Sequence, residues 1–203
     1  MEVMREIKLP ASNTVRFTFS GADLSSSGII MPDSHTHKSL GGMEGDDYKN
    51  FDIARKNGGV VLWSTVCLEQ TIERIILNYF IGPFDGPNTK RQQFENEVLK
   101  SSSFQLSFKK QLIHKISESV TALSGKEQSK LQGLLKKIML WRNAFAHGSL
   151  TLDVKTGVEL NYYSGGNQSI CLSNDYWDAV EDSFNKCTEL LKKLEDATTK
   201  SEA

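Results

Sequence analysis

Hydrophobic residues recur at intervals of three and four through most of the chain after Val60, which is the spacing of one buried helix face. The pattern predicts a first long helix over residues 62–80, ended by the Gly-Pro pairs within 80–87. Shorter helices are predicted over 91–99 and 104–120. A break at Ser124-Gly125 precedes a helix over about 126–146, whose apolar stripe comprises Leu131, Leu134, Leu135, Ile138, Trp141 and Phe145.

After Gly148 the apolar spacing changes to two, which is typical of strands. Segments 150–154 and 158–162 flank one turn, and a second turn at 164–167 leads into 169–172. Ser173-Asn174 is then predicted to cap a last helix with an apolar stripe of Trp177, Val180, Phe184, Cys187, Leu191 and Leu194. The predicted fold class is therefore mainly α, a helical bundle of about four to five helices with a small antiparallel β-hairpin or meander inserted before the last helix.

The domain boundaries follow from changes in this pattern. Residues 1–45 are rich in glycine and serine and are predicted to be an irregular extension, packed on the main domain or loosely tethered to it. An alternating run at 15–19 allows a short strand there. Residues 46–198 form the predicted helical domain, and 199–203 a disordered tail. A chain of 203 residues suits one domain with an extension.

Composition excludes several classes of protein. No segment approaches the roughly 20 apolar residues of a membrane span, and the N-terminus has no apolar block, so we expect no membrane association and a cytoplasmic protein. The three widely spaced cysteines, Cys67, Cys171 and Cys187, are predicted to be core residues. No cofactor is expected, and no metal, although His35 and His37 in Asp33-Ser34-His35-Thr36-His37 are a weaker alternative as metal ligands. The other interpretation of that segment is a flexible polar loop.

The net charge of −1 hides an uneven distribution. Between Lys109 and Arg142 there are eight basic and two acidic residues, whereas from Asn143 onward there are five lysines and ten carboxylates. The basic segment is able to steer a polyanion, and Lys130, Lys136 and Lys137 are its candidate RNA-binding residues. The alternative is that these lysines are merely solvated on helix surfaces.

The segment Arg142-Asn143-Ala144-Phe145-Ala146-His147-Gly148 places an arginine, an amide and a histidine at the end of an apolar helix. On an ideal wheel Arg142 falls inside the apolar stripe, so a buried ion pair with Glu69 or Glu73 is one structural interpretation. Asn143 and His147 share a face, whereas Arg142 and His147 lie about 140° apart. Either the last turn unwinds at Gly148, or a second copy of the segment completes the site across a two-fold axis.

These residue types suit phosphodiester chemistry. A guanidinium binds phosphate through paired hydrogen bonds, and an imidazole transfers protons near neutral pH. RNA supplies its own nucleophile in the 2′-hydroxyl, so the reaction needs no metal. Arg142 is thus a candidate for binding the scissile phosphate, His147 for proton transfer, and Asn143 for an assisting role.

The motif Arg142-Asn143-Ala144-Phe145-Ala146-His147 resembles the arginine, polar residue, three residues, histidine signature of the HEPN superfamily of helical domains. The resemblance extends in architecture over about 46–198, and in specific motif over six to eight residues. It implies a homodimer with facing motifs and, in many members, a metal-independent endoribonuclease of toxin–antitoxin, phage-defence or RNA-processing systems. An antitoxin or regulatory protein is then a further expected partner.

Two positions bear on this resemblance. Glu69 lies where some relatives carry an acidic residue, which makes it an additional candidate catalytic residue. Ser149 occupies the place of the tyrosine found in members paired with a nucleotidyltransferase antitoxin. Because some members of the superfamily bind nucleotides or proteins without cleaving RNA, the alternative hypothesis is a non-catalytic binding module with Arg142 in a structural ion pair.

Overall fold

The computed structural model describes residues 3–10, 45–83, 86, 89–153 and 157–200. Within them lie the helices α1 (Gly45–Ile81), α2 (Thr89–Gln93), α3 (Leu106–Ser119), α4 (Gly125–His147) and α5 (Asn174–Lys200), with a π-helical turn at Phe94–Leu99 after α2. The strands β1 (Ser149–Asp153), β2 (Gly157–Tyr163) and β3 (Asn167–Cys171) separate α4 from α5. The predicted mainly α fold, with a small antiparallel sheet before the last helix, is confirmed.

The core lies where α1, α4 and α5 pack together, with α3 covering α1 and α4 from another side. The apolar stripe predicted for the last helix is buried along its whole length, from Trp177 to Leu194. α5 therefore contributes a continuous hydrophobic face. It begins as the sequence indicates, because the Ser173 hydroxyl accepts a hydrogen bond from the Tyr176 backbone N–H at 3.2 Å.

The sheet has the order β1-β2-β3, and both pairings are antiparallel. Val158 and Leu160 of the central strand are buried, and Leu160 lies opposite Leu150 on one side and Ile170 on the other. The inner face of the sheet is therefore apolar and packs on the bundle. Gly165 in the second turn has a φ of 67°, a conformation that favours glycine.

Two predicted boundaries were wrong. α1 begins at Gly45, well before residue 62, because its first turns bury small and polar residues such as Asn50, Ala54 and Asn57 in place of an apolar stripe. α5 continues to Lys200, two residues into the predicted tail. Among the cysteines, Cys67 and Cys187 are buried as predicted, but Cys171 is exposed at the end of an edge strand.

Residues 3–10 form an extended segment that is tied to the bundle by asparagine side chains. Asn50 Oδ1 accepts from the Met4 N–H at 2.7 Å, and Asn174 Oδ1 accepts from the Arg5 N–H at 3.0 Å. Asn57 makes two such bonds, accepting from Ile7 N–H and donating to the Arg5 carbonyl, both at 3.0 Å. Met4 and Ile7 are buried. This part of the predicted extension is packed on the main domain, and the possible strand at 15–19 lies outside the described residues.

The side chain of Arg5 adds an ionic contact to this anchor. Its guanidinium pairs with Asp178 and, at 2.7 Å, with Glu181 of α5. The hydrogen bond from Arg5 lowers the pKa of Glu181 below its ordinary value. None of the described helices combines the length and the apolar character needed to cross a membrane.

We expect Asn57→Ala to lower the free energy of unfolding by about 1–3 kcal/mol, because it leaves a buried N–H and a carbonyl of the N-terminal segment without partners. Urea denaturation measures the change. Asn185→Ala is the matched control, since Asn185 lies on an exposed position of α5 and should lose little or no stability. Equal stability of the two variants would contradict the anchoring role of Asn57.

Candidate functional site

The Arg142–His147 motif forms the last turns of α4, a helix with defined ends. At its start the Ser124 hydroxyl accepts from Glu127 N–H, and the Glu127 carboxylate accepts from Ser124 N–H at 2.9 Å. Hydrogen bonds from Lys193 and from Ser124 lower the pKa of Glu127 to about 2, so this cap stays ionised at neutral pH. The helix continues unbroken to His147 and ends at Gly148.

Arg142, Asn143 and His147 are all exposed. Arg142 Nη1 donates to Asn143 Oδ1 at 3.0 Å, which orients the amide beside the guanidinium. Among the residues that the structure describes, no carboxylate forms an ion pair with Arg142, and Glu69 and Glu73 pair with Lys109 instead. The motif therefore presents a guanidinium, an amide and an imidazole to solvent.

The opposite side of the same turns is held firmly in the bundle. The Phe145 ring stacks on Trp177 of α5, with centroids 5.7 Å apart, and it lies against Gly58 of α1. A Cβ at Gly58 would lie 2.8 Å from Phe145 Cδ1, closer than packed atoms approach, so only glycine allows this contact. Trp141 packs against Phe184 in the same way, at 6.5 Å. The motif side chains thus extend from a rigid support.

Gly148 connects this support to the sheet. Its N–H donates to Ala144 O at 2.7 Å, and its φ of −87° is ordinary for any residue. A Cβ at Gly148 would nevertheless collide with Ala144 O and would lie 2.7 Å from Asn161 O of β2. Glycine is required here because two backbone segments approach closely. The predicted end of the helix at Gly148 is confirmed.

The prediction that Arg142 falls within the buried stripe was wrong. Upstream, Leu131, Leu135 and Ile138 are buried, but in the last turns the buried positions are Trp141 and Ala144. The buried face turns because Trp141 stacks on Phe184 of α5, whereas Arg142 lies beside the cavity between α4 and the start of α3 at Leu106. The guanidinium therefore lies at the edge of an open cavity.

The possibility that the last turn unwinds at Gly148 is also contradicted, because α4 is helical through His147. Arg142 and His147 therefore stay about 140° apart around one helix. Asn143 and His147 lie within about 40° of each other, on the solvent-facing side. One chain does not bring the guanidinium and its own imidazole onto one face.

A cavity of about 660 Å³ opens beside Arg142 and Asn143. Its walls are α1, the segment from Leu99 to Leu106, the first turn of α3, and α4. Glu69, Glu73, Lys109, Arg142, Asn143 and Met139 all line it. Of the predicted site residues, the structure thus brings Glu69 together with Arg142 and Asn143, whereas His147 is outside the lining.

Lys109 is the residue that organises the inner wall of this cavity. Its Nζ donates to Glu69 Oε1 and to Glu73 Oε1, each at 2.5 Å, and its side chain is only 5% exposed. Burial of the ammonium lowers its pKa, but the hydrogen bonds to the two glutamates outweigh that effect and raise it. Lys109 therefore occupies the place that the sequence suggested for Arg142 in an ion pair with Glu69.

Sequence reasoning missed Lys109, although an indication was available. Lys109 lies four and seven residues before the buried Ile113 and Ile116, so it continues their apolar stripe on α3. Glu69 and Glu73 are one turn apart on α1. A lysine on a buried face, with two carboxylates at helical spacing elsewhere, predicts an internal ion pair.

The three candidate RNA-binding lysines are exposed but do not share one face. Lys136 lies within about 20° of Asn143 around α4, and about 16 Å from His147 along the axis. Lys130 and Lys137 are turned about 120–140° from Asn143, and the Lys137 ammonium lies 4.9 Å from the centroid of the Trp141 ring. Among these lysines, Lys136 is the one placed to extend the exposed face of the motif.

The alternative metal ligands His35 and His37 lie outside the described residues. Within the part of the chain that the structure describes, there is no group of three or more histidine, cysteine, aspartate or glutamate side chains able to hold a metal ion.

Comparison of this chain with protein-family models, with curated proteins and with solved structures finds no significant match. The resemblance to HEPN domains stays a prediction, which depends on the motif residues and on the order of the elements.

We expect Gly58→Ala to lower the free energy of unfolding by about 1–3 kcal/mol, because the new methyl group displaces the Phe145 ring from its contact with α1. Gly59→Ala is the matched control, since no atom lies within 4 Å of a Cβ at that position. It should stabilise the helix by up to about 1 kcal/mol. Chemical denaturation of both variants tests the contact, and opposite signs are the expected result.

Proposed function

We propose that this protein is a HEPN-like, metal-independent endoribonuclease that acts as a homodimer. The observation that carries the proposal is the exposure of Arg142, Asn143 and His147 on a rigid helix end beside an open polar cavity. A group that binds a phosphodiester must be accessible and must not be neutralised by a carboxylate. Arg142 meets both conditions, since Lys109 pairs with the glutamates of the cavity.

The helix geometry supports a homodimer. Because α4 remains helical through His147, its own Arg142 and His147 face different directions. A two-fold axis beside this helix end would place Arg142 of one copy near the His147 of a second copy. The composite cleft would then hold arginines and histidines from two chains.

In this cleft the 2′-oxygen of RNA attacks the adjacent phosphorus, and the bond from phosphorus to the 5′-oxygen breaks. The imidazole of one His147 accepts the proton of the 2′-hydroxyl, and a solvent molecule donates a proton to the leaving 5′-oxygen. Arg142 stabilises the charge that develops on the phosphoryl oxygens, with Asn143 holding the guanidinium by the 3.0 Å hydrogen bond. The products are a 2′,3′-cyclic phosphate and a 5′-hydroxyl.

The substrate strand would approach along α4, where Lys136 shares the exposed face of Asn143 and His147. Lys130 and Lys137 contribute to the positive potential from neighbouring faces. The role of Glu69 is to hold Lys109 in the cavity wall, where its carboxylate accepts a hydrogen bond from the Lys109 ammonium. The biological setting that fits such an enzyme is a cytoplasmic toxin–antitoxin, phage-defence or RNA-processing system, with an antitoxin or regulatory protein as partner.

The second candidate function is a non-catalytic module of the same fold that binds a nucleotide or a protein. A version of this module with Arg142 in a structural ion pair does not fit the structure, in which Arg142 is exposed and donates to Asn143. The cavity of about 660 Å³ favours the nucleotide-binding version, because it has the size of an ordinary small-molecule site.

Purified protein incubated with total RNA in EDTA should produce fragments with 5′-hydroxyl ends. His147→Ala should reduce cleavage by at least about 100-fold, since the proton-transfer group is lost. Labelling of the 5′ ends by a kinase, with and without prior phosphatase treatment, identifies the chemistry. Lys126→Ala, on a remote exposed position of α4, is the control and should keep its activity. Undiminished cleavage by the His147 variant would refute the assignment.

A mixing experiment tests the composite site. If Arg142 of one copy acts with His147 of the other, mixtures of Arg142→Ala and His147→Ala proteins should recover activity that neither has alone. Random pairing makes half of the dimers mixed, each with one intact site, so about a quarter of the wild-type rate is expected. The rate is measured after subunit exchange. No recovery, with exchange verified by mass spectrometry, would contradict a site shared in this way.

A further inference from the structure

The cavity beside Arg142 has an uneven distribution of charge. On its inner wall Lys109 contributes one positive charge against two carboxylates, those of Glu69 and Glu73. Arg142 is exposed at the edge of the same cavity, next to Asn143. Lys100 also lines the cavity, but its ammonium pairs with Glu95 at 2.7 Å. The wall around Lys109 is therefore net negative, and the side at Arg142 is positive. A ligand that fits this arrangement carries hydrogen-bond donors at its inner end and a negative charge at its outer end.

A nucleotide has this distribution when its base enters first and its phosphate stays at the mouth. A phosphate placed inside would face the two glutamates and be repelled. Placed at the mouth, it meets the guanidinium of Arg142. The cavity of about 660 Å³ is large enough for a nucleoside.

The cavity also offers apolar surface for the face of a base. Phe104, Leu106 and Met139 line it and are partly exposed. Phe104 is braced edge-on by Phe108, with centroids 4.8 Å apart. Proteins commonly bind unpaired RNA bases by stacking them on aromatic side chains and by hydrogen-bonding their edges.

The hydrogen-bonding groups of the inner wall determine which base edge fits. The Lys109 ammonium is 5% exposed and already donates to two carboxylates, so it offers little to a ligand. The side chain of Glu69 is 30% exposed and presents carboxylate oxygen, which only accepts hydrogen bonds. Ser101 donates its hydroxyl to the Val98 carbonyl at 2.8 Å. At this part of the wall, Glu69 therefore offers acceptors only.

We propose that this cavity binds the base next to the cleaved phosphate and selects bases with an exocyclic amine over uracil, through the carboxylate of Glu69. The amine of cytosine donates to a carboxylate, whereas the carbonyl oxygen of uracil at the same position is repelled by it. The role of the base in RNA cleavage rests on the proposed function. The cavity itself lies within one chain, so nucleotide binding does not depend on the dimer.

Calorimetric titration with CMP and UMP tests the selection, because the two nucleotides differ only in the group at C4, an amine or a carbonyl, and in the proton that uracil carries on N3. Wild-type protein should bind CMP about tenfold more tightly than UMP. Glu69→Gln should bring the two affinities within about twofold, since an amide accepts and donates alike. Glu97→Gln, on an exposed position outside the cavity, should keep the wild-type ratio. Equal affinities of the wild-type protein for CMP and UMP would overturn the proposal.

Two further variants test the aromatic surface and the guanidinium of the cavity separately. They keep the proposal testable if Glu69→Gln fails to fold. Phe104→Leu should weaken CMP and UMP by the same factor, because stacking does not distinguish them. Arg142→Ala should remove the advantage of CMP over cytidine, which lacks the phosphate. If Phe104→Leu leaves both affinities unchanged, the base is not bound in this cavity and the proposal fails.

Mapping of cleavage sites distinguishes this proposal from the proposed function. RNA cut with equal frequency beside uracil and beside amino-bearing bases would refute base selection but would still support the nuclease assignment. Selective CMP binding without any cleavage would refute the nuclease assignment but would still support base binding in the cavity. Cleavage with a preference that Glu69→Gln weakens supports both.

Discussion

The contact of the Phe145 ring with Gly58 and Trp177 joins three helices at one point, and the exposure of the Arg142–His147 motif depends on it. Phe145 belongs to α4, Gly58 to α1 and Trp177 to α5. Within the same turns of α4, Arg142, Asn143 and His147 face solvent. A ring held on two sides fixes the rotation of the helix end, and that rotation decides which side chains are exposed. Packing of Phe145 therefore determines that Arg142, Asn143 and His147 lie on the exposed side of α4.

The ion pairs of Lys109 have a comparable influence on the cavity. Two carboxylates one helical turn apart would repel each other in a partly buried wall, and the ammonium between them offsets that repulsion. Because Lys109 neutralises only one of the two charges, the wall keeps a negative character. Arg142 does not serve this structural purpose and stays accessible. Because Lys109 pairs with the two glutamates and Arg142 does not, a positively charged motif can border an acidic wall.

Much of the fold could be predicted from periodicity, since the stripes of α4 and α5 and the alternation in β1 and β2 follow directly from burial on one face. The start of α1 could not, because Asn50 and Asn57 are buried through hydrogen bonds to the N-terminal segment and interrupt the apolar pattern. The exposure of Arg142 could not be predicted from the sequence either. Its exposure depends on where α3 begins and on the turn of the buried face toward α5, and neither is encoded in the spacing within α4.

The anchoring of residues 3–10 depends on contacts with α5, which is synthesised much later than this segment. The Arg5 backbone N–H binds Asn174, and its guanidinium binds Glu181, contacts between residues 169 and 176 positions apart. On the ribosome those contacts form only after the start of α5 has been synthesised. Such distant contacts slow folding, since a large loop must close before they stabilise anything. Completion of this domain is thus delayed until α5 has left the ribosome, and Arg5 has no access to Asn174 and Glu181 before that point.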